Sequence, residues 1–151
     1  MLQAKEHIRK TLYTNHGTRN EQKTAKFDKN AANLVEDDTF YKYDICVIEG
    51  TLYQIVGRLD RIQLNEDGSR MLVEIKNRTR GLFNRVRDYE EVQCQTYLQM
   101  LEDIEYCRLV ETYEGESKSY LIQRDYPKWK DEILPKLNNF CEHFHSLLSS
   151  A

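Results

Sequence analysis

The sequence predicts an α/β fold in which helices flank one central, mixed sheet of five strands. Two observations carry this. Five short segments rich in Tyr, Ile and Val, roughly 41–49, 51–63, 70–77, 105–114 and 117–124, are divided by turn residues. Helical-period stretches precede, interrupt and follow them.

Residues 2–13 read as a helix, and 18–36 as a second one with Ala25, Ala32 and Val35 among its apolar positions. Asp37-Asp38 ends it. Glu49-Gly50 separates the first two strands, and Asn65-Glu66-Asp67-Gly68 is a strong hairpin signal between the second and third. Residues 84–101 return to a helical period, with Val92, Leu98 and Leu101 set among polar positions. Glu114-Gly115 divides the last two strands. A final helix spans about 127–148; Pro127 suits a first helical position and Pro135 is expected to kink or restart the helix. Its stripe of Trp129, Ile133, Leu137, Phe140, Phe144 and Leu147 reads as a core or oligomer face.

At 151 residues the chain reads as one domain, 1–151, able to bury a core without staples. No apolar run approaches a membrane span, and the charged, amphipathic start is no secretory signal. Cys46, Cys94, Cys107 and Cys141 are dispersed without a C-x-x-C pair, which disfavours a metal cluster and fits reduced thiols in an intracellular protein, its compartment (cytoplasm, nucleus or viral factory) unread. The four histidines do not cluster with acids at ligand spacing, and His143 and His145 read as surface residues. A net charge of −3 argues against a generally basic nucleic-acid binder but is compatible with a local positive groove.

The most informative feature is charge inside apolar strands. G-R-L-D-R-I (57–62), the turn, and M-L-V-E-I-K (71–76) bring Asp60, Glu74 and Lys76 to one point. Alternation puts Glu74 and Lys76 on one face of the strand and Ile75 on the other. Such charges are costly unless paired or bound to metal. Simple ion pairs with Lys76 and Arg58 are the ordinary alternative. Two carboxylates about 4 Å apart repel by roughly 4 kcal/mol at an effective dielectric near 20, and one lysine offsets only part of that. A divalent cation is the better neutraliser.

Three further features join this pair. Q-C-Q-T-Y (93–97) places Gln93 and Tyr97 four apart on one helix face. G-T-R-N-E (17–21) places Glu21 one turn into the second helix. K-N-R-T-R-G-L-F-N-R-V-R (76–87) carries five cations and no acid.

This constellation resembles the PD-(D/E)xK nuclease superfamily. G-T-x-x-E, G-x-x-D, E-x-K and Q-x-x-x-Y, in that order, look like its lambda-exonuclease or YqaJ-like viral recombinase branch, over roughly residues 17–97. Leu59 stands where the eponymous proline would be.

The resemblance implies a restriction-endonuclease-like core and a Mg²⁺-dependent deoxyribonuclease, with Mn²⁺ as a substitute. The implied ligands are Asp60, Glu74, the carbonyl of Ile75, and Glu21. Lys76 would orient the attacking water and stabilise the phosphorane, Gln93 would bond the phosphate or the water, and Tyr97 would brace the helix or touch the sugar. Hard oxygen donors suit these ions. Arg19, Arg58, Arg78, Arg80, Arg85 and Arg87 are the expected phosphate contacts, with Leu82 and Phe83 as a wedge. The resemblance further implies a 5′-to-3′ exonuclease on duplex DNA ends in viral or phage recombination and repair, a single-strand annealing partner, and a trimeric ring. The short N-terminal region leaves ring formation open. The alternatives are an RNA-cleaving endonuclease of the same superfamily and a non-catalytic nucleic-acid-binding domain.

Overall fold

A computed structural model describes residues 34–36 and 39–151. The predicted helix at 2–13, most of that at 18–36, and with them Arg19 and Glu21, lie outside the described residues. The elements are β1 (Leu34–Glu36), β2 (Phe40–Ile48), β3 (Thr51–Arg58), β4 (Arg61–Leu64), β5 (Arg70–Asn77), α1 (Asp88–Met100), β6 (Tyr106–Tyr113) and β7 (Glu116–Gln123). A C-terminal helix follows, made of a turn at Tyr126–Lys128, a π segment Trp129–Ile133, and α2, Leu134–Ser149.

The fold is α/β, with two sheets rather than the single central one expected from 41–49, 51–63, 70–77, 105–114 and 117–124. The larger is mixed. Its strands β4, β5, β6 and β7 are neighbours in that order, and the three-residue β1 lines β4. β5 and β6 run parallel; the other pairs are antiparallel. β2 and β3 form a separate antiparallel ribbon. The segment predicted as one strand over 51–63 therefore divides between two sheets. The break falls at Leu59-Asp60, where Leu59 turns into the core at 3% exposure. Strands that change sheets bend at such corners, and this corner carries Asp60.

A second correction concerns residues 34–36. Predicted as the end of a helix, they are a strand whose pairing with β4 (Leu34↔Gln63, Val35↔Ile62) overrides the local period. The turn signals fare better. Glu49-Gly50 and Glu114-Gly115 both adopt positive φ (48° and 78°; 46° and 84°), the two-residue type I′ geometry that matches strand twist. Pro135 restarts the last helix as expected: it sits in the first turn of α2, just after the π segment, where Leu134 N–H reaches back to the carbonyl of Trp129.

The two faces of the larger sheet bury different sets. Leu59, Ile62, Leu72, Cys94, Leu98, Leu101, Ile104, Cys107, Leu109 and Ile122 form the main core on the α1 side. Val73, Ile75 and Val110, with Leu34 against them, form a small second cluster. β5 thus alternates Leu72 to one side and Val73 and Ile75 to the other, so Glu74 and Lys76 share the α1 side.

The ribbon packs on the C-terminal helix. The ring of Tyr43 meets Trp129 edge-on at 5.2 Å, and Tyr53 meets Phe144 at 6.4 Å. His145, predicted as a surface residue, bridges Tyr53 Oη at 2.6 Å and Glu49 at 3.1 Å, because the ribbon folds over that end of the helix. Of the predicted apolar stripe, Trp129 and Ile133 are core; Phe140, Phe144 and Leu147 are exposed. Among the described residues no helix is long and apolar enough to cross a membrane, and the four cysteines are free thiols.

Candidate active site

Asp60 leaves the corner between the two sheets and accepts a hydrogen bond from the N–H of Ile75 at 2.8 Å through Oδ2. This cap is available because the β4–β5 ladder has already ended at Arg61↔Val73. A strand residue directs its N–H and C=O to the same edge, so the Ile75 carbonyl faces the edge where Asp60 stands. The carboxyl of Glu74, 2% exposed, adjoins that of Asp60. The Lys76 ammonium lies 3.7 Å from Glu74 Oε2 and donates to Gln93 Oε1 at 2.7 Å. Tyr97, one turn further along α1, adjoins Gln93. The sequence therefore brings Asp60, Glu74, Lys76, Gln93 and Tyr97 to one place, with α1 laid against the end of β5.

The electrostatics are those of a site short of positive charge. Burial raises the pKa of Asp60; the Ile75 N–H and Lys76 oppose it only partly. Burial, then the adjacent Asp60 charge, push Glu74 well above the ordinary carboxylate range, against the pull of Lys76. The pKa of Tyr97 is raised by burial and by the charges of Glu74 and Asp60, with the neighbouring Gln93 amide pulling the other way. Glu74 Oε1 is buried with no hydrogen-bond partner. An orphaned carboxylate oxygen beside a second carboxylate is costly to bury and is the donor set a hard divalent cation takes. The described residues hold no group of three or more His, Cys, Asp or Glu side chains placed for a metal; two carboxylates and the Ile75 carbonyl are what they offer.

Gly57 explains itself in this geometry. A Cβ there would stand 2.3 Å from Tyr97 Cε1, so the ring of α1 can seat against β3 only because that residue has no side chain. The glycine of G-x-x-D and the tyrosine of Q-x-x-x-Y are one steric unit.

The basic segment behaves otherwise than predicted. Arg78 turns inward, its side chain 8% exposed, and pairs with Glu90 at 2.8 Å and Glu111 at 2.9 Å. Its guanidinium is committed to two buried acids, so it is not a phosphate contact. Phe83 is no free wedge either: Arg78 and Arg87 lie over its ring at 3.8 and 4.3 Å from the centroid. Leu82 is half-buried. Arg80 and Arg85 are exposed on the segment, and Arg58 is exposed at the end of β3. Glu90 and Glu111 went unread in the sequence. Glu111, an acid inside the apolar run R-L-V-E-T, carried the same signal as Glu74; Glu90, one acid among three in the first turn of α1, carried none.

No family model matches this sequence, and no curated protein matches it. Among solved structures, its fold is similar to that of SSO0001. That crystal structure superposes with a TM-score of 0.60 at 21% identity, and the match covers 84% of this chain. The chain spans 58% of the length of SSO0001. At this identity the likeness speaks for the fold alone.

Proposed function

We propose that this chain is a metal-dependent deoxyribonuclease with a restriction-endonuclease-like core, hydrolysing phosphodiester bonds of DNA and acting as a 5′-to-3′ exonuclease on duplex ends. The observation that carries the hydrolytic reading is the half-buried Asp60 beside the buried Glu74 with its orphaned oxygen, next to the Lys76 ammonium. Polarity and the choice of DNA rest on the resemblance of the four motifs. A scaffold domain has no use for two mutually repelling carboxylates and a lysine in one partly closed place.

Asp60, Glu74 and the Ile75 carbonyl would hold the ion, with Glu21 as a further ligand. When bound, a divalent ion lowers the pKa of a water and offsets the charge developing on the phosphate. The chain's own groups do the rest. Lys76, tethered by Gln93, points its ammonium at the same place as the carboxylates, where it orients the attacking water and stabilises negative oxygen on phosphorus. Gln93 sets the position of that ammonium, and Tyr97 braces α1 against the core and Gly57. Attack forms a bond from water oxygen to phosphorus; the phosphorus–oxygen bond to the leaving sugar breaks, and its oxygen takes up a proton.

The test uses 5′- and 3′-labelled duplex DNA, single strands and RNA with Mg²⁺, Mn²⁺ or chelator. Metal-dependent release of products from DNA duplex ends is expected. Mg²⁺ should also raise the melting temperature of the wild type but not of Asp60→Ala. Absence of cleavage on all substrates, with melting indifferent to Mg²⁺, would overturn the reading.

A further inference from the structure

Loop 79–87 joins the two elements that build the candidate site, leaving β5 just after Lys76 and entering α1 ahead of Gln93. It is short of regular structure, yet it is fastened at its middle by one buried side chain. Glu111 on β6, the register partner of Lys76, is wholly buried and receives four donors on two oxygens. Oε2 takes the Phe83 N–H and Arg78 Nε, both at 2.9 Å. Oε1 takes the Asn84 N–H and the Tyr120 hydroxyl, also at 2.9 Å. Two consecutive backbone N–H groups converging on one anion make a nest, reached here through the left-handed conformation of Asn84 (φ 57°). Lys118 donates to the Asn84 side chain from the neighbouring strand. Burying an anion with every lone pair engaged rigidifies what it touches. What it touches is the stretch of chain that displays Arg80 and Arg85 to solvent.

We infer that Glu111 is a positioning residue: it holds loop 79–87 as a preformed rim, so that Arg80 and Arg85 meet the phosphates of a polynucleotide strand beside the site without an ordering cost on binding. This rests on the nuclease reading and names its strand-contact surface. A rim that is already ordered contributes through affinity, since binding then spends nothing on fixing the loop. The internal acid occupies the nest itself, leaving the strand to the two outward arginines.

The experiment compares wild type, Glu111→Gln, Tyr120→Phe and Arg80→Ala/Arg85→Ala on a labelled DNA duplex with Mg²⁺, alongside amide hydrogen exchange. In wild type the Phe83 and Asn84 amides should be protected; in Glu111→Gln they should exchange faster, KM should rise roughly tenfold and kcat should hold. The double-arginine variant should raise KM and lower the salt slope of binding by about two units, at about 0.9 for each phosphate left without its arginine. A wild-type KM and salt slope in that variant, or a Glu111→Gln loss confined to kcat, would overturn the inference. Should Glu111→Gln fail to fold, Tyr120→Phe, which removes a single donor, together with the double-arginine variant decides the question. If the wild type neither binds nor cleaves nucleic acid while the two amides remain protected, the nuclease reading has failed and the rim's role falls with it; if it cleaves and the rim variants are silent, only this inference has failed.

Discussion

Replacing Gly57 with alanine should destabilise this protein, against the usual sign of that substitution in a strand. Gly57 lies in β3, where no positive φ protects the glycine. Alanine would ordinarily be favoured there by about 0.4–1 kcal/mol through the unfolded chain. Here the new methyl would stand 2.3 Å from Tyr97 Cε1 and 3.1 Å from Cδ1, more than 1 Å inside normal contact for the nearer atom. The ring has little room to yield, because Tyr97 packs against the main core. Overpacking of this kind costs about 1–3 kcal/mol, leaving a net loss near 1–2 kcal/mol. For a chain of this size that lowers Tm by about 2–8 °C. Thermal unfolding by circular dichroism on a double-mutant cycle reads it directly. In a Tyr97→Ala background the clash is gone, and Gly57→Ala should regain its stabilising sign. A higher Tm for Gly57→Ala in the wild-type background would refute the steric coupling.

Other expectations follow from the same geometry. Arg78→Ala strands Glu90 in the interior and takes one of four donors from Glu111, at a cost of about 3–5 kcal/mol; it should appear as a large fall in Tm with no selective loss of nucleic-acid affinity at low temperature. In chelator, the raised pKa values of Asp60 and Glu74 mean their contribution to stability is complete below their ordinary values of 3.8 and 4.5 and is lost as pH rises through the folded-state values. Tm should therefore fall with rising pH from about 4 upward, and Glu74→Gln, which cannot ionise, should flatten that fall. Lys76→Ala should lower kcat by roughly 10²–10³-fold while the Mg²⁺-induced rise in Tm persists, which separates ion binding from chemistry.

Much of the site is local pattern, and for that reason it was legible. Period-two alternation puts Glu74 and Lys76 on one side of β5 and Ile75 on the other. Period 3.6 puts Gln93 and Tyr97 on one face of α1. Glycine-bearing turns set the hairpins. Sequence alone therefore determined which residue types face together within each element. The tertiary structure decided what those faces meet. It split one predicted strand at Leu59-Asp60, so that Asp60 could cap Ile75 beyond the end of the β4–β5 ladder. It turned Arg78 inward onto two acids 12 and 33 positions away, a pairing no local period encodes. It made a strand of residues 34–36, because hydrogen bonds to β4 outweigh a weak helical preference. And it seated Tyr97 on Gly57, 40 positions apart in the chain, because close packing answers to volume, which sequence spacing does not record.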